Sequence, residues 1–206
     1  VEILQKVVSV YDSNGKLLRQ ENIIDYTKIN IKDEFATLEN FIKTWTAEAK
    51  KEKILAKDAD TLKLLIQGSD FIKREVVEID PTEQNERATL NFGHTLGHAI
   101  EKLKNFTMLH GHCVAVGALA AMNICKERGL IKQDEIDAYK ALMEYFSIPT
   151  CVSGLNTEEV IAATKNDKKM EAGVIKFILL DRVGHAYIDR TVTKDEMERA
   201  LATIFR

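Results

Sequence analysis

The pattern of apolar and polar positions predicts a β-hairpin near each end of the chain. Residues 3–10 and 17–24, each with several apolar positions, lie on either side of an Asn-Gly dipeptide, which strongly favours a tight hairpin turn. Residues 174–181 and 185–190 alternate apolar and polar residues around an Arg-Val-Gly turn. Because successive side chains of a strand point to opposite faces, this period of two predicts the second hairpin.

The long middle of the chain has helical periodicity instead. Leu38, Phe41, Ile42 and Trp45 recur at i, i+3, i+4 and i+7 within residues 36–50, which predicts a helix with one apolar face. The same reasoning predicts five further helices. One runs from a cap at about Asp60 to a stop at Asp80-Pro81, and two others cover about residues 87–104 and residues 133–146. The last two are residues 157–164, after a cap at Asn156, and a helix after Thr193, which can form a capping box with Glu196.

Two of the predicted helices bury their apolar residues in different ways. The helix that begins near Asp60 is expected to bury a single stripe, made of Leu62, Leu65, Ile66, Ile72 and Val76. Residues 111–128 are almost wholly apolar and are followed by Gly129, a favourable residue just after a helix end. A helix that is apolar all round is predicted to be buried on all sides.

The order of these elements, hairpin, helices, hairpin and helix, predicts a mainly α protein of the α+β class. We expect a helical, bundle-like domain with two small β-hairpins, one N-terminal and one near the C-terminus. The lysine-rich stretch at residues 50–53 marks a change in the character of the chain, so we place a domain boundary after residue 54. Residues 1–54 then form a hairpin plus a helix, and residues 55–206 form the helical domain.

Composition limits the classes of function. The chain has 206 residues, 45% of them hydrophobic, and a formal net charge of −3, which gives no electrostatic case for binding to nucleic acid or to a membrane. No apolar run approaches the about 20 residues that a membrane span needs. Cys113, Cys125 and Cys151 are an odd set without tight spacing, which argues against a disulfide framework and predicts a reducing, cytoplasmic location.

Four of the five histidines, His94, His98, His110 and His112, lie close together in the sequence. Clustered imidazoles indicate a metal site, because neutral imidazole is a good ligand for zinc and similar ions. His94 and His98 are four residues apart and share a helix face, to which His110 can return after a loop. The pair is also compatible with an ordinary polar helix face, and we interpret His112 and His185 as ordinary residues.

Polar residues upstream of the histidines admit two interpretations. Glu83, Arg87 and Asn91 are spaced four residues apart and would share the face of His94 if the helix begins early. They form either a solvated, salt-bridged face or a polar wall beside a metal, in which Arg87 binds a carboxylate or a phosphate. The basic turn at residues 166–169 is likewise either a surface loop or an anion site.

Taken together, these motifs resemble those of 3-dehydroquinate synthases. The resemblance extends over about residues 55–206, and the combination is far more specific than any one motif. It is carried by residues 87–101 (RATLNFGHTLGHAIE), residues 109–111, the apolar stretch after residue 113, the lead-in at residues 72–77 and 80–83, and residues 167–169.

The resemblance implies a lyase of the shikimate pathway, which leads to the aromatic amino acids. Such enzymes convert 3-deoxy-arabino-heptulosonate 7-phosphate into 3-dehydroquinate with NAD and a divalent metal, usually zinc. By position, the resemblance implies that His94 and His110 bind the metal. It also implies catalytic roles for His98, Lys73 and Asn91, and contacts to the substrate from Arg87, Glu83, Lys168 and Lys169.

The sequence departs from this family at two points. The family's third metal ligand is a Glu in an Ala-Glu-x-x-Lys element, and Glu48 has those neighbours, at a shorter spacing from Lys73 and among polar residues. No glycine-rich phosphate loop occurs, so the NAD-binding domain that the resemblance implies is absent from this sequence. We therefore expect the chain alone to be inactive and to be completed by a nucleotide-binding domain in trans or by a homodimer.

The first 50 residues resemble another family, the type I restriction enzyme R subunits, in their C-terminal region. Residues 11–17, 25–27 and 35–45 carry this resemblance. It implies a non-catalytic interaction segment whose partners are the other restriction subunits. For the whole chain the alternatives are a fragment, a fusion or a chimera, and a further hypothesis is a helical domain that has kept the family's shape without its chemistry.

Overall fold

The computed structural model describes residues 5–11, 16–24, 48–83, 86–164 and 175–206. The chain separates into two compact units, Val1–Lys50 and Lys51–Arg206. The boundary that the sequence suggests after residue 54 stays a prediction.

The first unit contains the N-terminal hairpin. Strand β1 (Gln5–Tyr11) pairs antiparallel with strand β2 (Leu17–Ile24), and the register shifts between Val10 and Tyr11. The predicted hairpin is therefore confirmed. Its Asn-Gly turn lies outside the described residues, as do residues 36–47 of the helix predicted over residues 36–50.

Helix α1 (Glu48–Leu55) is followed by the long helix α2 (Ala59–Ile79). The helix cap is Asp58 rather than the predicted Asp60, because the Asp58 carboxylate accepts a hydrogen bond from the backbone N–H of Thr61 at 2.9 Å. The Thr61 hydroxyl donates to the same carboxylate, and the two hydrogen bonds lower the pKa of Asp58. Helix α2 ends just before Asp80, as the Asp-Pro dipeptide predicts.

The apolar stripe of α2 is less buried than its sequence suggests. Ile66 is 60% exposed, so its predicted burial is wrong, and the other four stripe residues are only half-buried. The helix packs mainly against the short 3₁₀ helix Glu86–Asn91, which is too small to cover a stripe of five turns.

The histidine-bearing helix begins later than predicted. Helix α3 (His94–Leu103) is preceded by the 3₁₀ helix, and Gly93 between them has a left-handed backbone with φ of 77°. The expected continuous helix from about residue 87 is therefore wrong, because a residue in that conformation ends one helix and starts another. Glu83, Arg87 and Asn91 consequently do not continue the face of α3.

Helix α4 (His110–Glu127) forms the centre of the second unit. Nearly all its residues from Val116 to Cys125 are buried, so the prediction of burial on all sides is confirmed. Gly129 has a φ of 73°, and its N–H bonds to Lys126 O at 2.9 Å, while Leu130 N–H bonds to Cys125 O at 2.9 Å. This pair of bonds is the Schellman motif expected of a C-terminal glycine.

The remaining elements surround α4. Helix α5 (Gln133–Tyr145), strand β3 (Phe177–Arg182) and helix α7 (Lys194–Ala202) each pack against it, and helix α6 (Thr157–Thr164) packs against α3 and α7. Strand β3 pairs antiparallel with β4 (His185–Asp189), which confirms the second hairpin. The described part of the chain is therefore mainly α with small hairpins, as the sequence predicts.

Two caps read from the sequence are also present. Asn156 accepts a hydrogen bond from the N–H of Glu158 at 2.8 Å before α6, and Thr193 and Glu196 form the capping box of α7. Among the described helices, none has a stretch long and apolar enough to cross a bilayer.

Candidate metal centre

Three histidine rings meet where the start of α3 lies beside the start of α4. The ring centroids of His94 and His98 are 5.2 Å apart, those of His94 and His110 are 5.5 Å apart, and those of His98 and His110 are 5.6 Å apart. One ring nitrogen from each of the three lies within 4.8 Å of the other two. The rings thus face one shared point, as the clustering in the sequence suggested.

Glycines on both helices allow this close approach. A Cβ atom on Gly93 would lie 2.5 Å from Val114 O, and one on Gly97 would lie 3.0 Å from Cys113 O. A Cβ atom on Gly117 of α4 would overlap Gly93 O. Because only residues without a Cβ fit at this crossing, the backbones of α3 and α4 come close enough for His110 to reach the rings of α3.

Hydrogen bonds fix the protonation of two of the rings. The Nδ1 atom of His94 lies 3.2 Å from the backbone oxygen of Phe92, and the Nδ1 atom of His110 lies 3.1 Å from a carboxylate oxygen of Glu101. A carbonyl oxygen and an ionised carboxylate can only accept, so each Nδ1 must carry the hydrogen. In a neutral imidazole that carries its hydrogen on Nδ1, the lone pair that can bind a metal is on Nε2.

The donor set fits a divalent cation of the zinc type. A cation about 2.0–2.1 Å from each nitrogen needs nitrogens about 3.4 Å apart, so the three nitrogens, now within 4.8 Å of one another, would move closer together on binding. Three imidazoles leave a fourth position open, which is the arrangement of catalytic rather than structural zinc sites. The His110 ring is 53% exposed, so a ligand has access to that position.

Glu101 also belongs to this centre, although the sequence motifs predicted no role for it. It lies seven residues after His94 and three after His98 on α3, which places all three on one helix face. That spacing was the signal that could have identified it. Its side chain is only 18% exposed. Burial, and after it the charge of Glu101, raise the pKa of the neighbouring Cys113 thiol.

A second polar group lies just upstream, around the 3₁₀ helix. The side-chain N–H of Asn91 donates to Glu83 at 2.7 Å, and the guanidinium of Arg87 donates to Pro81 O at 2.8 Å. Arg87 and Glu83 are also paired at 3.9 Å. The structure therefore brings Glu83, Arg87 and Asn91 together through side-chain contacts, although they do not share the helix of the histidines.

The other sequence-predicted site residues have different positions. Lys73 is exposed on α2, and within the described part of the chain no hydrogen bond or ion pair joins it to either group. Glu48 is the first residue of α1, and its side chain is outside the described residues, as are Lys168 and Lys169 entirely. His112 is half-buried and is not among the three clustered rings, and His185 pairs with Asp181 at 2.9 Å on the second hairpin.

A cavity opens beside the histidines between α3 and α6. Its volume is about 320 Å³, which is within the range of small-molecule sites. His98 and Glu101 line it on one side, and Lys102 provides a positive charge. The remaining walls come from Thr95, Ala99, Phe106, Ala163 and Thr164.

Comparison with known proteins identifies relatives of this chain. A family profile described as "3-dehydroquinate synthase C-terminal" matches residues 23–170. The 3-dehydroquinate synthase of Symbiobacterium thermophilum is 35% identical over 170 residues, which is 82% of this chain and 47% of that protein. The enzyme of the same name from a Synechococcus strain is 36% identical over 148 residues, or 71% of this chain and 40% of that protein. The chain thus spans less than half the length of these curated relatives.

Two solved structures share the fold. The 2-epi-5-epi-valiolone synthase ValA of Streptomyces hygroscopicus, solved with NAD+ and Zn2+ bound, has a TM-score of 0.61 at 19% identity over 75% of this chain and 44% of that one. A 2-deoxy-scyllo-inosose synthase, complexed with carbaglucose-6-phosphate, NAD+ and Co2+, has a TM-score of 0.52 at 21% identity over 58% of this chain and 35% of that one.

These comparisons lend no support to the predicted resemblance of residues 1–50 to restriction subunits. The family match begins at residue 23, inside that segment.

Proposed function

This chain belongs to the 3-dehydroquinate synthase family, and from that membership we propose that it is the metal- and substrate-binding half of such a synthase. The reaction of the whole protein would be the phosphate-eliminating cyclisation of 3-deoxy-arabino-heptulosonate 7-phosphate to 3-dehydroquinate, with NAD. The observation that carries the proposal is the convergence of three imidazoles on one point.

His94 and His110 are the proposed metal ligands, through their Nε2 atoms. Zinc is the proposed metal, because the donors are imidazoles and a structural neighbour was solved with Zn2+. When bound, the metal would polarise substrate hydroxyls and stabilise the negative charge that develops on them during hydride transfer. The hydrogen bonds of Phe92 O and Glu101 to the two rings would orient them for this task.

The third protein ligand has two candidates. Glu48 follows from the resemblance, and His98 follows from the geometry, because a ring nitrogen of His98 lies within 4.8 Å of those of both other histidines. We favour His98 as the third ligand. The resemblance instead implies a catalytic role for His98, whose ring borders the cavity. Proton exchange with a substrate hydroxyl would require that Glu48 complete the metal site, because an imidazole bound to a metal has no free lone pair.

The polar groups around the centre suit an anionic substrate. Arg87 has five N–H donors, of which one bonds to Pro81 O and one faces Glu83, so the guanidinium retains donors for a carboxylate or a phosphate. Asn91 and Glu83, bonded to each other, provide an amide and a carboxylate for hydroxyl groups. Lys73, Lys168 and Lys169 stay predicted substrate contacts.

A substrate-binding experiment tests the proposal without requiring turnover. Isothermal titration of 3-deoxy-arabino-heptulosonate 7-phosphate into the zinc-loaded chain is expected to show binding that Arg87→Ala weakens at least tenfold, because a charged hydrogen-bond donor is lost. Arg182→Ala, at an exposed arginine on the second hairpin, is the matched control and should bind normally. Equal binding of ribose 5-phosphate, or no effect of Arg87→Ala, would contradict the proposed substrate site.

The expectation that the chain alone is inactive stays a prediction, and an assay of phosphate release with substrate, NAD and zinc checks it separately.

A further inference from the structure

We propose that Glu101 is the positioning residue of the metal centre: it holds the His110 ring with Nδ1–H toward α3 and Nε2 toward the shared point. The inference rests on the metal site of the proposed function and adds to it a residue to which neither the comparisons nor the family-based assignments give a role. The contact that carries it is the 3.1 Å hydrogen bond from His110 Nδ1 to the Glu101 carboxylate.

His110 needs such support more than the other two histidines. It is the first residue of α4, its ring is 53% exposed, and the residue before it, Leu109, makes no side-chain cap. An exposed ring at a helix start samples several rotamers and both neutral tautomers. A single hydrogen bond from Nδ1 to an acceptor that cannot donate fixes both the rotamer and the tautomer of the ring.

Glu101 is well placed to provide that bond. Its carboxylate is only 18% exposed and sits on the face of α3 that carries His94 and His98. An ionised acceptor makes a stronger bond than a neutral one, and partial burial strengthens it further. The negative charge also raises the basicity of the imidazole toward a cation.

The loop between α3 and α4 returns the chain toward this contact. After α3, the N–H of Phe106 bonds to the backbone oxygen of Glu101 at 3.0 Å, and the N–H of Asn105 bonds to that of Lys102 at 3.0 Å. Asn105 and Phe106 both have left-handed backbones, with φ of 49° and 58°. Non-glycine residues adopt this conformation at a cost of about 1 kcal/mol each, and here it turns the chain so that His110 returns to Glu101.

Two variants separate the parts of this role. Glu101→Ala removes the acceptor, and zinc affinity, measured by competition with a chromophoric chelator, is expected to fall about 10–100-fold. Glu101→Gln keeps a neutral acceptor, and a smaller fall is expected. The matched control is Asp181→Asn, which alters a similar carboxylate–histidine pair, to His185, on the second hairpin, and should leave zinc affinity unchanged.

A readout in the metal-free protein tests positioning directly. In ¹⁵N–¹H spectra of histidine-labelled protein, we expect His110 to carry its hydrogen on Nδ1 in the unsubstituted chain and to lose that preference in Glu101→Ala. In Glu101→Gln we expect a weakened preference, because the amide can donate to Nδ1 as well as accept from it. A merely structural role of Glu101 would change thermal unfolding of the metal-free protein without changing the tautomer.

The outcomes distinguish this inference from the proposed function. If zinc binding depends on His94 and His110 but Glu101→Ala stays within about threefold of the parent, the positioning role is overturned and the metal site stands. If Glu101→Ala abolishes zinc binding as completely as His94→Ala, Glu101 is itself a ligand and the positioning role is again overturned. If the parent chain binds no zinc, the metal site and this inference both fall.

Discussion

At the scale of single residues, the metal centre depends on which atoms of its histidines are already hydrogen-bonded. Spacing in the sequence predicted that His94, His98 and His110 could meet, because residues four apart share a helix face and a loop can return a third. The choice of His94 and His110 as ligands came from the family resemblance. Spacing does not reveal tautomers. Those follow from Phe92 O and Glu101, whose contacts exist only once α3 and α4 have packed together.

The third ligand can be decided by a comparison of two single substitutions. Because a ring nitrogen of His98 lies within 4.8 Å of the other two, we expect His98→Ala to weaken zinc binding at least tenfold and Glu48→Ala to weaken it less than about threefold. Chelator competition on the full chain measures both. The opposite ranking would contradict the three-histidine set and make Glu48 the ligand, as the family resemblance implies.

At the scale of elements, the crossing of α3 and α4 sets the position of the site. Gly93 and Gly97 on one side and Gly117 on the other remove the Cβ atoms that would separate the two backbones. Gly93 and Gly97 stand directly before His94 and His98 in the sequence, but nothing there distinguishes Gly117 from the other small residues of the apolar stretch. The angle and position at which two helices cross decide which of their small residues face each other. One sequence alone does not give this crossing geometry.

Substitution at this crossing should be costly. Gly117→Ala places a Cβ on the backbone of Gly93, so we expect unfolding free energy to fall by more than about 2 kcal/mol in urea denaturation, with weaker zinc binding as α4 shifts. Gly111→Ala is the matched control on the same helix, because a Cβ there meets nothing within 4 Å. Its helix propensity predicts no loss of stability. Equal stability of the two variants would refute the close crossing.

An ion-pair cluster joins the far end of α4 to the second hairpin and to α7. Arg128 donates to Glu196 through Nε at 2.6 Å and through Nη2 at 3.1 Å, and to Asp189 through Nη1 at 2.9 Å. The hydrogen bond from Arg128 is the main cause that lowers the pKa of Glu196 to about 2. The Glu196 side chain is 14% exposed, so water screens this pair only partly.

This cluster predicts a pH-dependent stability. Because the pKa of Glu196 is about 2 in the folded protein and 4.5 ordinarily, its stabilisation is fully present above about pH 4.5 and is lost as the pH falls toward 2. Glu196→Gln should therefore cost about 2 kcal/mol at pH 7 and progressively less below pH 4.5, measured by denaturant unfolding. Glu198→Gln, at an exposed pair with Lys194, should cost less than about 0.5 kcal/mol. A pH-independent cost for Glu196→Gln would contradict the assignment.

Element boundaries were predictable where side chains cap the backbone locally. The capping box of Thr193 and Glu196 and the glycine after α4 were read correctly, since each acts within one turn. The helix boundary at Gly93 was not predicted, because a glycine inside a helical pattern does not by itself indicate a left-handed backbone. The exposure of Ile66 was not predicted, because apolar periodicity shows which face of a helix is apolar but does not show which other element packs on that face.

At the scale of the whole molecule, the chain spans less than half the length of its curated relatives, and its three clustered histidines lie in one compact unit. The three imidazoles and Glu101 all belong to the unit Lys51–Arg206. The chain spans 47% of one curated relative and 40% of another. Metal binding is therefore the property of the family that can be tested on this chain independently of the remaining length of its relatives.

The most direct test of the account is the zinc content of the purified full chain and its histidine variants, by elemental analysis after dialysis against trace zinc. We predict about one zinc per chain for the parent and for His185→Ala, whose ring lies on the second hairpin beside Asp181. His94→Ala and His110→Ala are predicted to retain almost none. Undiminished zinc in both of those variants would contradict the proposed centre.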